Sequence, residues 1–162
     1  MLNLDRFRQA QDIPHVGYAA ALRELQAGQK TGHWIWYVFP QLAGLGRSST
    51  AVHYGLAGVE EAAEYLRDRV LGERLVTAAA AARAHLSGAT GRPARLAGLM
   101  GSEIDALKLV SSMTLFGRVA KTLYAEDAHP QFAAMAAHAD AILTAAAAQG
   151  YARCAHTETH LR

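Results

Sequence analysis

The sequence predicts an all-α protein, a compact multi-helical single domain, and three observations point there. Of its 162 residues 51% are apolar, and alanine alone supplies 35, against 19 leucines and only 12 valines and isoleucines together. Alanine has the highest intrinsic helix propensity, while the β-branched residues that favour strands are scarce. Apolar residues also recur at spacings of three and four, and no stretch alternates apolar and polar positions with strand composition. A chain of this length buries about 68–70% of the surface its unfolded form exposes, enough for one core. A disordered chain, a large sheet protein and a two-domain enzyme are excluded.

The helices follow in order. Residues 14 to 27 carry Tyr18, Leu22 and Leu25 on one stripe, with Gly28 just past the helix end. Residues 58 to 70 place Val59, Ala62, Leu66 and Val70 on one face, and residues 71 to 87 do the same with Leu71, Leu75, Ala82 and Leu86. Ser102 stands three residues before Asp105 as an N-cap, opening a helix through Phe116 that is apolar around almost its whole circumference, Ile104 and Leu107 included. Residues 130 to 148 space Phe132, Met135, Ala139 and Ile142 by threes and fours behind Pro130, which suits a first helical turn. The domain is therefore expected over 1–150, with 151–162, including the run Cys154 to His160, as a flexible tail.

Charge and cysteine narrow the partners. Sixteen basic against fourteen acidic residues leave a formal charge of +2, too small for a nucleic-acid footprint. The mixed run of Glu60, Glu61, Glu64, Arg67, Asp68 and Arg69 reads as a solvated helix face. Cys154 stands alone, so no internal disulfide is possible and a reducing compartment fits. The stretch Met1-Leu2-Asn3-Leu4-Asp5-Arg6 lacks the apolar core of a signal peptide, and no apolar run reaches the roughly 20 residues of a membrane span. A cytoplasmic protein, without nucleic acid or membrane, is the expectation.

Three segments depart from the alanine-rich background. The first, Lys30 to Gln41, holds both tryptophans, Trp34 and Trp36, with His33, Tyr37 and Phe39. Aromatic residues at this density fill cores, or else an indole forms one wall of a pocket and stacks on a planar ligand. The second, Gly44-Leu45-Gly46-Arg47-Ser48-Ser49-Thr50, opens a short predicted helix carrying His53 and Tyr54. Its reading is either a glycine-rich turn capped by Ser48 or Ser49, or a set of backbone N–H groups that, with Arg47, grips a phosphate or carboxylate. It is not a P-loop and follows no strand.

The third segment runs from Asp105 to Phe116. At about 100° per residue, Asp105, Lys108 and Ser112 share one side of an otherwise apolar helix. Burying unpaired charge is costly, so Asp105 and Lys108 either pair structurally or line a pocket. The candidate ligand-binding residues are thus Lys30, Trp34, Trp36, Gln41, Gly44, Gly46, Arg47, Ser48, Tyr54, Asp105, Lys108 and Ser112. His33 and His53 are candidates for acid–base work, or else hydrogen-bonded structural histidines. Cys154, His156, Glu158 and His160 would gather ligands only from an extended chain, so no metal and no cofactor are predicted.

These residues also carry a resemblance. The series Ala21-Leu22-x-Glu24-Leu25-x-x-Gly28-x-Lys30, His33-Trp34-x-Trp36-x-x-Phe39-Pro40-Gln41-Leu42-x-Gly44-Leu45-Gly46-x-Ser48 and Asp105-x-x-Lys108-Leu109-x-Ser111-Ser112-Met113-Thr114-Leu115-Phe116 resembles a bacterial family known only as a domain of unknown function, some members of which are labelled calpastatin. The likeness runs from about Leu4 to Leu143. It implies a cytoplasmic all-helical domain and no established activity, and nothing here is like a protease-inhibitor repeat. The stretch His138-Ala139-Asp140 to Thr144 lacks the glycines of the family pattern.

The expected function is the binding of an anionic small molecule, nucleotide-like ones among the candidates, in a polar and aromatic pocket. The alternative is an interaction module or homodimer with no ligand pocket. Convergence of Trp34, Arg47, Ser48, Asp105 and Lys108 on one concavity separates the two.

Overall fold

The computed structural model describes residues 3–162, so Met1 and Leu2, at the head of the segment read above for a signal peptide, lie outside the described residues. Ten helices make up these residues: α1 (Asp5–Gln11), α2 (Tyr18–Ala27), α3 (Ile35–Val38), α4 (Ser49–Tyr54), α5 (Val59–Arg67), α6 (Arg69–Leu86), α7 (Leu96–Met100), α8 (Glu103–Glu126), α9 (Pro130–Ala148) and α10 (Ala155–His160). The β-structure among them is a single isolated bridge between Leu42 and Leu56.

The longest helix, α8, is the axis of the fold. It packs on α9, α5, α7 and α10, while α6 lies against α9, α2 and α5. The α8–α9 contact is close because Gly117 faces Ala139: a Cβ at Gly117 would stand 3.0 Å from that methyl. Alanines do the same on α6, where Ala78, Ala79 and Ala82 are buried, and on α9, where Ala139 and Ala146 are buried. Small side chains let the long helices approach closely, and large ones from α1, α5 and α8 and from the residue that caps α3 (Phe7, Tyr65, Phe116 and Trp34) fill the space between.

Polar clamps fix the short helices. Arg6 forks onto Glu61, with Nη2 2.8 Å from Oε1, and its Nε donates to the His53 carbonyl at 2.9 Å, tying α1 to α5 and the end of α4. The buried Gln11 amide donates to the Tyr37 carbonyl at 2.7 Å and to the Tyr65 hydroxyl at 3.0 Å. Burial pushes the Tyr65 hydroxyl far above its ordinary pKa, so it stays neutral.

Sequence and structure part at four places. The helix expected from residue 14 begins at Tyr18, because the chain turns sharply after α1: His15 takes φ 68°, and a Cβ on Gly17 would lie 2.2 Å from the Gln11 carbonyl oxygen. The break expected after Val70 falls at Asp68, whose carboxylate accepts from the N–H groups of Val70 and Leu71 at 3.0 and 2.9 Å. That shift leaves Val59 and Val70 exposed in first turns, rather than on a buried face.

The third correction concerns α8, which continues past Phe116 to Glu126 and is not apolar-buried all round: Ile104 is 67% and Leu107 54% exposed. Fourth, the residues expected as a tail carry α10. It lies on α8 because that helix turns hydroxyls toward it: Thr114 Oγ1 accepts from the Cys154 N–H at 3.2 Å, and Ser111 meets the buried Thr157 at 3.4 Å. By contrast α9 spans 130–148 as its spacing predicts, with Pro130 in the first turn and the His129 ring accepting from the Gln131 N–H. Gly28, with φ 85°, ends α2.

Candidate functional site

The site is built from the segment after α2 and the first turns of α8. Lys30 follows the Gly28 cap, and its backbone N–H donates to the Leu99 carbonyl at 2.7 Å, which draws it against the α7–α8 turn. Gly101, at φ 84°, makes this approach possible, since a Cβ there would stand 2.6 Å from the Lys30 carbonyl oxygen. Lys30 is only 6% exposed. Its ammonium sits 2.6 Å from Asp105 Oδ2, donates to the Gly32 carbonyl at 2.5 Å and lies 5.0 Å from the centre of the Trp34 ring.

Asp105 is fixed by its own helix start, its N–H donating to the capping Ser102 hydroxyl at 3.1 Å. One turn on, Lys108 Nζ stands 3.9 Å from Asp105 Oδ1 and 4.6 Å from the centre of the Trp36 ring. Two ammonium groups thus share one carboxylate, each over an indole. Lys30 holds it tightly and Lys108 loosely, which leaves the cluster with an excess positive charge at Lys108. Burial pushes the Lys108 ammonium below its ordinary pKa, Asp105 pulls back upward, and Lys30 adds to the depression.

Glu24 organises the loop between. Its Oε1 accepts from the backbone N–H groups of Thr31 and Gly32, both at 2.7 Å, and from the Trp34 indole N–H at 3.0 Å. Burial pushes its carboxyl up, but these donors outweigh that effect and hold it below the usual range. Trp34 itself is wholly buried. Its expected role as an open stacking wall is therefore corrected: its faces are taken by Lys30 and by the neighbouring Phe39 ring at 6.1 Å.

Beside this cluster lies a cleft of about 400 Å³, lined by Gln41, Leu45, Ile104, Leu107, Lys108, Val110, Ser111, Ala152, Arg153 and Cys154. Its walls are mostly apolar, and its two cations are Lys108 and Arg153. Among the described residues Arg153 makes no ion pair. The exposed Ile104 and Leu107 are one wall of this cleft. A larger depression of about 520 Å³ lies where the α5–α6 and α8–α9 junctions meet, around Arg67, Glu126, Asp127 and His129. It holds charges of both signs, with Arg67 pairing with Glu126 at 3.3 Å, and none of the sequence candidates.

The candidates therefore divide. Lys30, Trp34, Trp36, Asp105 and Lys108 come together, and Gln41 and Lys108 line the cleft. The glycine turn does not join them as an anion grip. Gly44 leaves room for the His156 ring, 3.4 Å from where its Cβ would be, and Gly46 leaves room for Ala51. Ser48 caps the six-residue α4 through the Ala51 N–H, and Arg47 is exposed. Only Leu45 of that turn reaches the cleft.

Tyr54 packs against Phe7 and Tyr37. His33 and His53 are both exposed and outside the cleft, His53 with its ring on the edge of Tyr54. Ser112 is fully buried on α8, and its hydroxyl, like the Trp36 indole N–H, has no hydrogen-bond partner among the described residues. Sequence reasoning missed Glu24, Leu45 and Arg153 as parts of the site. Glu24 stood in the motif just upstream of the aromatic block, whereas Arg153 had no local signal. Among the described residues no group of three or more His, Cys, Asp or Glu side chains is placed to hold a metal ion, and no helix is long and apolar enough to cross a membrane.

The model of one protein family, described as a protein of unknown function (DUF1810), matches residues 1–149. The chain belongs to the DUF1810 family. A crystal structure at 1.38 Å of the conserved hypothetical protein Rv1873 from Mycobacterium tuberculosis is similar, with 41% sequence identity and a TM-score of 0.64, covering 83% of this chain and 84% of that one. No curated protein matches. Membership agrees with the all-helical fold expected from the motifs and brings no activity with it. The match stops before Arg153 and Cys154, so one wall of the cleft lies outside the part of this DUF1810 protein that the family pattern describes.

Proposed function

We propose that this protein binds a small amphipathic anion, a carboxylate or phosphate on an apolar body, in the cleft beside Asp105. The observation that carries the reading is Lys108: it lines an apolar cleft while Asp105 is already committed to Lys30 at the shorter distance. An anion there would complete a charge balance that the protein leaves open. Arg153, across the cleft, adds a planar fork suited to a carboxylate. Leu45, Ile104, Leu107 and Val110 would cover the apolar body, at about 0.8 kcal/mol per buried methylene. A nucleotide loses support, because Trp34 is wholly buried and neither the glycines of the turn nor Arg47 and Ser48 line the cleft. We place the protein in the cytoplasm, on the support of its lone Cys154, and expect neither nucleic acid nor membrane as a partner.

Thermal unfolding tests this with para-hydroxymethylbenzoate and its uncharged amide. A ligand at 100 times its Kd adds about 2.7 kcal/mol, a rise in Tm of about 5–10 °C for this chain length. The acid is expected to give such a rise and the amide none, and the double variant Lys108→Met/Arg153→Met is expected to abolish it. Equal shifts for acid and amide would rule the reading out.

The exposure of Ile104 and Leu107 also favours a second reading, in which this face docks another protein or a second copy. Sedimentation across a concentration series separates them: the ligand reading expects one concentration-independent species, and the docking reading expects association that Leu107→Ser weakens.

A further inference from the structure

We propose that Lys108 is a carbonyl-capturing amine, which forms an imine with an aldehyde or ketone that carries an anionic group. The inference rests on the cleft reading above and names the ligand class for that site. The chain has three lysines, and the structure gives each a different setting. Lys30 is buried and locked to Asp105 and the Gly32 carbonyl. Lys121 is exposed and pairs with Asp140 at 3.1 Å. Lys108 alone lines the 400 Å³ cleft, and it has no carboxylate of its own.

An amine attacks a carbonyl only when neutral, and the groups around Lys108 bear on that state. The Lys30 ammonium on the far side of Asp105 and the apolar cleft walls disfavour a second charge or a hydrated one. Asp105, at 3.9 Å, and the face of the Trp36 ring, at 4.6 Å, favour it, and the Arg153 cation, which lines the same cleft, disfavours it. The pKa of Lys108 lies below that of an ordinary lysine, so the neutral, attacking share of this amine is larger than an ordinary lysine's while the resting side chain still carries its charge. Asp105 is also placed to move a proton. Held by Lys30 on Oδ2, it presents Oδ1 toward Lys108 Nζ.

The step is balanced without any co-reactant. The Nζ lone pair forms a bond to the carbonyl carbon, and the C=O π pair moves to oxygen, which takes a proton from solvent, the equivalent of the one the ammonium gave up on becoming neutral. Nitrogen gives up a proton to Asp105 Oδ1. That proton leaves with the carbinolamine hydroxyl as water as the C=N bond forms. Lysine ammonium plus carbonyl compound gives protonated imine plus water, with no change of oxidation state. The protonated imine then carries its charge where the ammonium did, so Asp105 remains its counter-ion and Arg153 stays free for the ligand's anionic end.

The test incubates the full chain with para-formylbenzoate and sodium cyanoborohydride and maps adducts by mass spectrometry after digestion. A trapped imine adds the ligand's mass less one oxygen. The cleft gathers the anionic aldehyde at Lys108 and nowhere near Lys121, so Lys108 is expected to label severalfold faster than Lys121. The variant Lys108→Arg is expected to lose the adduct, and para-hydroxymethylbenzoate, which cannot form an imine, is expected to raise the Tm of the unaltered protein. Labelling of Lys121 at the same rate as Lys108, with that thermal shift intact, overturns the inference and leaves anion binding standing. Absence of the thermal shift in the unaltered protein overturns both.

Discussion

One carboxylate between two ammonium groups makes the residues of the cluster unequal. Removing Lys108 leaves the 2.6 Å pair of Lys30 and Asp105 intact, whereas removing the charge of Asp105 leaves a buried lysine facing another lysine. Asp105→Asn is therefore expected to destabilise by about 3–5 kcal/mol in urea unfolding, and Lys108→Met by no more than about 1 kcal/mol. A larger loss for Lys108→Met than for Asp105→Asn would mean that the pairing is wrongly assigned. Glu24→Gln keeps an oxygen for the three N–H donors but removes the negative charge that strengthens each bond, an expected cost of about 1–3 kcal/mol with Trp34 fluorescence altered. The sequence showed that Asp105 and Lys108 share a helix side, since that follows from period alone. It did not show that Lys30 is the stronger partner of Asp105, because that contact spans 75 positions (105 − 30) and depends on how Leu99 and Gly101 receive the lysine backbone.

Among the helices, the α7–α8 turn positions the site. Gly101 combines φ 84° with a carbonyl oxygen 2.6 Å from where a Cβ would be, so Gly101→Ala is strained twice over. It is expected to cost about 1–3 kcal/mol and to weaken binding in the cleft, whereas Ser102→Ala, which removes only the cap, costs about 1 kcal/mol. Unchanged anion binding in Gly101→Ala would detach the turn from the site. Elements with their own punctuation were legible: α9 behind Pro130, the end of α2 at Gly28, the start of α8 at Ser102. Elements set by tertiary contacts were not. Asp68 divides α5 from α6 because its carboxylate caps the second helix and also pairs with Arg8 of α1, a partner 60 residues away. The last helix forms against the hydroxyls of Ser111 and Thr114, which the polar composition of residues 155–160 does not reveal.

The whole molecule is a set of alanine-lined helices around α8, with its charge concentrated in a few clamps, and that arrangement sets its response to pH. Burial pushes Glu61 and Asp68 upward, but Arg6 and the Ala57 N–H on Glu61, and backbone N–H groups with Arg8 on Asp68, outweigh it and hold both carboxyls below their ordinary 4.5 and 3.8. Folded values below the unfolded ones mean that this stability is present above those ordinary values and is lost as pH falls through the folded ones. His138 acts earlier: burial and then Arg83 hold its pKa below the ordinary 6.5, so the unfolded chain takes up a proton there first. Stability is expected to decline in two stages as pH falls, beginning below 6.5, and His138→Gln is expected to remove the first stage from a series of urea midpoints.

The central claim is that the open charge at Lys108 and Arg153 makes the apolar cleft an anion site. Calorimetric titration of the full chain with para-hydroxymethylbenzoate tests it most directly. Saturable one-to-one binding that weakens with salt and disappears in Lys108→Met/Arg153→Met is the predicted result; undiminished binding by that folded double variant, or no binding by the unaltered protein, would contradict it.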